Sequence, residues 1–234
     1  LRLSIPGARR PKSKFAAAAP LTLLDLHIIG NSGLKKVRQM KVLRSYSKVG
    51  NSLESLAGAQ ALTELSLMLV ANNDSQTNFL ETLLIHLERL EECNINNSKK
   101  VLILARSVQA CLHILAIGGY CLPTQRCCRT GEEIIPPLGE WNWRCSMLPD
   151  EGFIIGSIPD SEIQLNPSEF ALLQRLIRPS LPTRKNGELM GPEYVWLKLL
   201  TVIEAWIGHH LPRKSQALQM LREVFIVNST EFKD

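Results

Sequence analysis

The residues that could do chemistry in this sequence are six cysteines, five histidines and a dense set of basic side chains near its start. Thiolates and neutral imidazoles bind metals or act as nucleophiles and bases, whereas clustered Lys and Arg neutralise phosphates. These residue types suggest three classes of site: a metal centre, an enzyme active site, or a surface that binds a polyanion.

The cysteines lead us to expect no bound metal. A structural zinc site needs four tetrahedral thiolate or imidazole ligands, usually from two C-x-x-C pairs. Cys127 and Cys128 are adjacent, and Thr130 stands where the second cysteine of a pair would be. The weak metal candidates are therefore Cys127, Cys128 and Cys145, with a zinc-free remnant or ordinary buried thiols as the alternatives. Six irregularly spaced cysteines are too few for a disulfide scaffold, so we expect a reducing cytoplasm.

No motif argues for an enzyme. The stretch "GNSGLKK" has a lysine but lacks the spacing of a Walker motif, and no G-x-S-x-G occurs. None of the histidines has a cysteine or carboxylate partner at motif spacing. They are His27, His86, His113, His209 and His210. We therefore predict a non-enzymatic protein without a cofactor and interpret the histidines as structural.

The strongest signal is the charge of residues 1–50. They contain eleven Lys or Arg and one acid, Asp25, whereas the rest holds sixteen basic and twenty-one acidic residues. This asymmetry predicts that the basic part binds a polyanion, and a basic surface that serves solubility is the alternative. Because only Phe15 and Tyr46 could stack on bases there, the sequence favours contacts with phosphates. The predicted phosphate-binding residues are Arg9, Arg10, Lys12, Lys14, Lys35, Lys36, Arg38, Lys41 and Arg44.

The elements that must position these cations are strands. "LRLSI", residues 21–29 and residues 37–46 are predicted strands, and the last alternates loosely enough to predict a bulge or bend. Three strands in fifty residues make too small a core to stand alone. We call residues 1–50 the head and residues 51–234 the body.

The body is predicted to be helical. Asn51 is the expected cap of its first helix, and "NPSEF" predicts another helix that is capped by Asn166. Residues 120–165 are rich in Pro and Gly and predict an irregular or short-stranded insert. The fold class is therefore predicted to be α+β. The other predicted helices span about 77–92, 99–117, 193–209 and 214–226.

With these segments placed, nearly the whole chain resembles the RecO family of bacterial DNA repair proteins. The resemblance rests on "PGARRPKSKF", "PLTLLDLHI", "LAGAQALTELSLMLV", "FLETLLIHLERL", "LHILAIGGYCLPTQRC", "LPDEGFIIG", "LNPSEFALLQRL" and "HHLPRKSQALQMLRE", in that order. It implies an N-terminal OB-fold, a helical domain and a small zinc-finger-like insert. The chain departs from the family in two ways. The second cysteine pair after "DEGFIIG" is missing, and the OB-fold is expected to be truncated at its start or naturally degenerate.

The resemblance also implies a function. A member of this family would bind single- and double-stranded DNA, anneal complementary strands and help to load the recombinase RecA, without membrane contact. RecR and the C-terminal tail of the single-strand-binding protein would be its partners, in a cytoplasmic, nucleoid-associated location. An acidic, apolar-ended tail needs a hydrophobic cleft rimmed by cations, for which Arg213 and Lys214 are candidates. Charges beside a helix start are the alternative interpretation of these two residues.

Two other functions stay open at this point. The first is a non-enzymatic interaction protein whose basic head binds RNA or an acidic protein partner. The second is a metal-dependent enzyme.

Overall fold

The computed structural model describes residues 3–8, 10, 12–13, 15–30, 33–70, 77–96, 98–159 and 161–230. These residues form two three-stranded sheets and six α-helices. The α+β class predicted from the sequence is therefore confirmed.

The head contains the first sheet. Its strands are β1 (Leu3–Ser4), β2 (Thr22–Ile29) and β3 (Lys35–Ser45). β3 lies in the middle, parallel to β1 and antiparallel to β2. Two register shifts leave Arg38 and Leu43 of β3 without an opposite residue on β2. The bulge that the loose alternation predicts is thus confirmed, and such bulges redirect the side chains that they carry.

The body contains the helices. A short 3-10 helix, Ser47–Asn51, leads into them from the head. The predicted helical ranges are confirmed to within a few residues at each end. The helices are α1 (Leu53–Leu69), α2 (Thr77–Ile95), α3 (Lys100–Ile117), α4 (Pro167–Arg175), α5 (Glu193–His210) and α6 (Gln216–Thr230).

Of the two caps predicted from the sequence, one is right and one is wrong. Asn166 caps α4 as expected: its side chain accepts from the Glu169 N–H, and the Glu169 carboxylate accepts from the Asn166 N–H, both at 2.9 Å. Asn51, however, ends the 3-10 helix, and α1 is capped by Ser52, whose Oγ accepts from the Ser55 N–H at 3.2 Å. Ser52 has the extended backbone that a cap requires (φ −134°, ψ 146°).

The second sheet is formed by the segment that connects α3 to α4 in the chain. Its strands are β4 (Cys145–Leu148), β5 (Gly152–Ile155) and β6 (Ile163–Leu165), in the order β5-β4-β6. Its buried side chains join the main core, where the Phe153 ring packs edge-on against Phe170 of α4 at 5.1 Å. The short-stranded character predicted for this region is confirmed, and the region packs firmly on the helices.

The centre of the body is α3, which packs against α1, α2 and α5. It approaches α1 so closely at Gly58 that an added Cβ would overlap the Ser107 hydroxyl. Among the described residues, α3 is also the one helix that is long and apolar enough to cross a membrane. In this fold its apolar residues are buried by neighbouring helices, as in the central helix of a globular core.

Candidate nucleic-acid interface

β3 carries five of the nine predicted phosphate-binding residues. Val37 is the buried residue of this strand, so most of the remaining side chains point to solvent. Lys35 is half-buried. The other four basic side chains are exposed: Lys36, Arg38, Lys41 and Arg44. The strand thus presents a row of cations. Asp25 of β2, the one acid of the head, lies opposite Lys41 of β3.

The remaining predicted cations belong to the loop between β1 and β2. Arg10 and Lys12 line a shallow cavity of about 500 Å³, with the buried Phe15 ring in its wall. Arg9 and Lys14 lie outside the described residues. Because Ser4 pairs with Lys36, the loop leaves the sheet directly beside β3. The fold therefore brings the basic loop and the basic strand to the same part of the head.

Arg44 differs from the other cations of β3. Its guanidinium forms ion pairs with Glu88 and with Glu91 of α2, the second at 3.5 Å. Its Cζ also lies 4.7 Å from the centre of the Tyr46 ring. These contacts join the head to α2, so Arg44 would have to leave two carboxylates to bind a phosphate. These ion pairs were not predicted from the sequence, since the partners lie more than forty residues away.

The two aromatic residues of the head are part of its core. Phe15 is 8% exposed and Tyr46 is 2% exposed. Neither ring is available as a platform for stacked bases, which agrees with the preference for phosphate contacts that the sequence indicates.

Arg213 and Lys214 are both exposed, in the turn between α5 and α6. Lys214 lines a cleft of about 590 Å³ together with Arg222 and the apolar side chains of Ile163 and Leu218. Glu204, also in the cleft, binds Arg222 at 3.0 Å, and burial raises the pKa of its carboxyl although Arg222 opposes this effect. The cleft therefore combines an apolar wall with basic and acidic groups.

Arg213 is placed differently, beside the start of α6. The Glu64 carboxylate accepts there from the Ser215 hydroxyl at 2.7 Å and from the Ala217 N–H at 2.8 Å. Burial acts to raise the pKa of Glu64, but these hydrogen bonds and the charge of Arg213 lower it overall. Arg213 thus supports an ionised carboxylate that caps α6 from another helix.

The three candidate metal ligands lie close together but differ in chemistry. Burial and the neighbouring Cys127 and Cys128 raise the pKa of Cys145 to about 12. For Cys127, burial acts in the same direction, yet hydrogen bonds from Thr130 and nearby backbone N–H groups lower the pKa to about 7. Cys128 is exposed, with its Sγ 3.8 Å from the Glu151 carboxylate.

This donor set does not fit zinc. Thr130 supplies a neutral hydroxyl where the second thiolate of a cysteine pair would stand. This hydroxyl lowers the pKa of Cys127, and its Oγ1 also lies 3.2 Å from the Glu132 carboxylate. Within the described part of the chain, no group of three or more His, Cys, Asp or Glu side chains is arranged to hold a metal ion.

A pair of histidines that the sequence left apart meets between α2 and α3. His113 Nε2–H donates to the Leu176 carbonyl at 2.9 Å, so its Nδ1 accepts from His86 Nε2–H at 3.0 Å. Burial lowers the pKa of both rings, for His86 to about 3. Both imidazoles are therefore neutral, and they join three segments of the body.

The chain is similar to known proteins over most of its length. A family model described as "Recombination protein O C terminal" matches residues 50–219. A protein named "DNA repair protein RecO" from Prochlorococcus marinus (strain MIT 9303) is 60% identical over 226 residues, which cover 96% of this chain and 85% of that protein. The protein of the same name from strain MIT 9313 is 59% identical with the same coverage. That from Synechococcus sp. (strain WH7803) is 54% identical and covers 95% of this chain and 83% of its own length.

Proposed function

The chain belongs to the RecO family of DNA repair proteins, and we propose that it mediates recombination in DNA repair by holding DNA strands on its basic head. The observation that supports this mechanism is the row of exposed cations on β3 and the adjoining loop. In this proposal the three-stranded sheet of the head is part of an OB-fold.

The chemistry of the proposed activity is electrostatic. Lys and Arg release condensed counterions when they neutralise phosphates, which gives affinity without reading the base sequence. Annealing of complementary strands then requires no covalent step. Screening their mutual repulsion and holding them close raises their effective concentration. Our proposal therefore contains no catalytic residue, no metal and no cofactor.

The proposed partners follow from the family. We propose that RecR and the tail of the single-strand-binding protein dock on the body, that RecA is loaded indirectly, and that all of this takes place in the nucleoid of the cytoplasm. The cleft beside Lys214 suits the tail, because an apolar wall lies next to the cations Lys214 and Arg222. Arg213 would contribute through its long-range charge.

The proposed DNA binding by the head can be tested by removing its positive charges. We expect Lys36→Gln, Arg38→Gln and Lys41→Gln in one chain to weaken single-stranded DNA binding and to reduce the slope of log K against log salt by about two. Fluorescence anisotropy and a strand-annealing assay measure the two effects. The matched control removes three exposed cations of the body through Lys99→Gln, Arg126→Gln and Arg129→Gln.

Two results would contradict the proposal. One is unchanged annealing by the variant of the head, since the mechanism requires those cations. The other is a strong preference for RNA or for an acidic peptide in competition with single-stranded DNA, which would favour the interaction protein that the sequence left open.

A further inference from the structure

A groove with exposed aromatic side chains lies on the body, where the insert meets α4 and the start of α5. We call it the aromatic groove, and its volume is about 460 Å³. The sequence did not predict it, because its walls come from three separate segments of the chain. Its lining includes Leu138, Glu140, Trp141, Arg175, Met190 and Tyr194.

Trp141 differs from the other three tryptophans of the chain. Trp196 and Trp206 are buried, and each donates its indole N–H to a backbone carbonyl. Trp143 is half-buried. The Trp141 side chain, in contrast, is 86% exposed. A large ring that leaves its apolar surface in water contributes little to folding, so it is available to contact a ligand.

The loop that carries Trp141 is already ordered. The Arg144 guanidinium donates to the carbonyls of Trp141 and Trp143 at 2.6 and 2.7 Å. The Trp143 ring in turn packs edge-on against Phe170 of α4, with the ring centres 6.1 Å apart. Because these contacts fix the loop before any ligand arrives, binding at Trp141 would cost little conformational entropy.

The segment that leads into α5 forms another ordered wall. Gly191 has a φ of 83°, and Trp196 donates to its carbonyl at 3.1 Å. A Cβ on Gly191 would come within 3.1 Å of the Leu172 side chain of α4, so glycine permits this close approach. Tyr194, in the first turn of α5, is exposed. The groove therefore presents two exposed rings on ordered segments.

The charges of the groove indicate what it can bind. Glu169 is already satisfied, since Lys198 binds it at 2.7 Å and it accepts from the N–H at the start of α4. The Glu140 side chain is exposed, and its carboxylate disfavours a phosphate beside it. This part of the groove is therefore suited to a flat, neutral group.

Arg175 gives the groove one cation for an outside anion. Its side chain is exposed, and its guanidinium donates to the Met190 sulfur at 3.3 Å, a weak acceptor. Among the described residues, no carboxylate lies within 4 Å of it. A flat neutral group on the rings, joined to a phosphate at Arg175, matches the chemistry of a nucleotide in a single strand.

The head has no comparable contact for bases, because the rings of Phe15 and Tyr46 are buried. Proteins that bind single strands combine cations along the phosphate backbone with aromatic rings on which bases stack. In this chain the proposed phosphate-binding cations lie on the head, and the exposed pair of rings lies on the body. Double-stranded DNA keeps its bases paired and stacked, so such a groove would select single strands.

We propose that the aromatic groove holds unpaired bases of single-stranded DNA, which stack on Trp141 and Tyr194 while a neighbouring phosphate binds Arg175. The proposal rests on the DNA-binding function proposed above and adds the site that contacts bases. Stacking accepts every base, because each base has a π face. This tolerance suits a protein that anneals strands of any sequence.

Fluorescence anisotropy with a single-stranded oligonucleotide tests the groove. Trp141→Ala should weaken binding about fivefold or more. The slope of log K against log salt should stay unchanged, because a stacked base releases no counterions. Binding of double-stranded DNA should also stay unchanged, and Trp141→Phe, which keeps a ring, should retain most of the affinity. The matched control is Ile135→Ala, an exposed position of the insert outside the groove.

A photochemical cross-link locates the bases directly. The natural protein is irradiated with a single strand that contains 5-iodouracil, and the modified peptide is identified by mass spectrometry. We expect the cross-link at Trp141 or Tyr194. It should disappear in Trp141→Ala with Tyr194→Ala and persist in Ile135→Ala. Circular-dichroism melting should be the same for all of these variants, since the three side chains are exposed.

The outcomes distinguish this inference from the proposed function. If Trp141→Ala with Tyr194→Ala binds single strands as well as the natural protein does, the groove is not a base site, and the head can still hold DNA. An equal loss for single- and double-stranded DNA would also overturn the inference. If DNA binding is unchanged and a proline-rich peptide binds only the natural protein, the groove serves a protein partner. If the natural protein does not bind single-stranded DNA, the proposed function fails, and the inference fails with it.

Discussion

The head and the body of this protein use charge in opposite ways. On β3, Lys36, Arg38 and Lys41 are exposed, and none of them has an ion pair within 4 Å among the described residues. In the body, Lys198 and Arg222 are partly buried and bound to carboxylates. A cation that must bind an outside anion is best left unpaired, whereas a cation that supports a fold needs its counterion in place.

The head and the body also differ in how many side chains they bury. The head buries few side chains, chiefly Phe15 and Val37, and it is tied to the body through Tyr46 and Val49. The body holds nearly all of the continuous core. A three-stranded sheet with so small a core depends on the body for its stability. We therefore expect that folding and the proposed DNA binding can be disturbed separately.

The largest effect is expected in the core of the body. Phe170 is fully buried and packs edge-on against Phe153 and Trp143. We expect Phe170→Ala to lower the free energy of unfolding by about 3–5 kcal/mol, through lost burial and the cavity left behind. Chemical denaturation followed by circular dichroism measures this change. Val37→Ala in the head should lower the free energy of unfolding clearly less. An equal loss there would mean that the core of the head contributes as much to stability as the core of the body.

The features predicted correctly from the sequence are those that depend on residues close together in the chain. The spacing of Phe170, Leu173 and Leu176 and the local Asn166–Glu169 cap are enough to place α4, because both act within one or two turns. The prediction that Asn51 caps α1 was wrong for a related reason. The choice between Asn51 and Ser52 is made by the 3-10 helix that precedes α1, and no residue pattern indicates that helix.

The sequence predicted which basic residues form the candidate site, but it did not predict which side chains they contact. The sequence predicted the basic strand because its cations lie close together in the chain, and its bulges follow from the imperfect alternation. The pairing of Arg44 with Glu88 and the meeting of His86 with His113 depend on how α2 packs on its neighbours. Such contacts between distant segments leave no periodic signal in one sequence.

The second largest effect concerns the histidine pair of the body. His86 has a pKa of about 3 in the folded protein, against an ordinary value of 6.5. Between these values the unfolded chain binds the proton and the folded chain does not, so stability rises with pH over this range and falls on acidification. From pH 7 to pH 4.5, His86 should cost about 2–3 kcal/mol of stability.

Denaturation curves at the two pH values test this prediction. His86→Gln removes the titrating ring and keeps an amide that can donate to His113 Nδ1, so its stability should depend less on pH. His27→Gln, on an exposed strand position of the head, is the matched control and should retain the full pH dependence. Equal stability of the natural protein at both pH values would contradict the prediction, because it would mean that His86 takes up a proton as readily in the folded state as in the unfolded chain.

A smaller effect is expected at Cys127, where hydrogen bonds from Thr130 and from backbone N–H groups lower the pKa of the thiol. Thr130→Val removes the hydroxyl that supports the Cys127 thiolate and should raise the pKa of this thiol from about 7 by about one unit. Thiolate absorbance as a function of pH measures the shift, with Cys128→Ser as the common background. An unchanged titration would assign the low pKa to the backbone N–H groups alone.

The smallest effect on stability is expected where the two regions meet. Glu88→Gln with Glu91→Gln removes the carboxylates that bind Arg44, and the side chains of Arg44 and Glu88 are 43% and 40% exposed. Solvent screens the pair with Glu88, and the Glu91 side chain, which is 11% exposed, makes only the longer contact at 3.5 Å, so the loss of stability should stay below about 1 kcal/mol. The released Arg44 would then be free to bind a phosphate, and the salt dependence of DNA binding should steepen by about 0.7–0.9 in slope.

The control for this last prediction removes two exposed acids that have no contact with Arg44, through Glu81→Gln and Glu133→Gln. Both double variants change the net charge equally, so a general effect of charge would steepen the two slopes alike. A steeper slope only for Glu88→Gln with Glu91→Gln would mean that the ion pairs withhold Arg44 from DNA. The boundary between head and body would then set how many cations the head can offer.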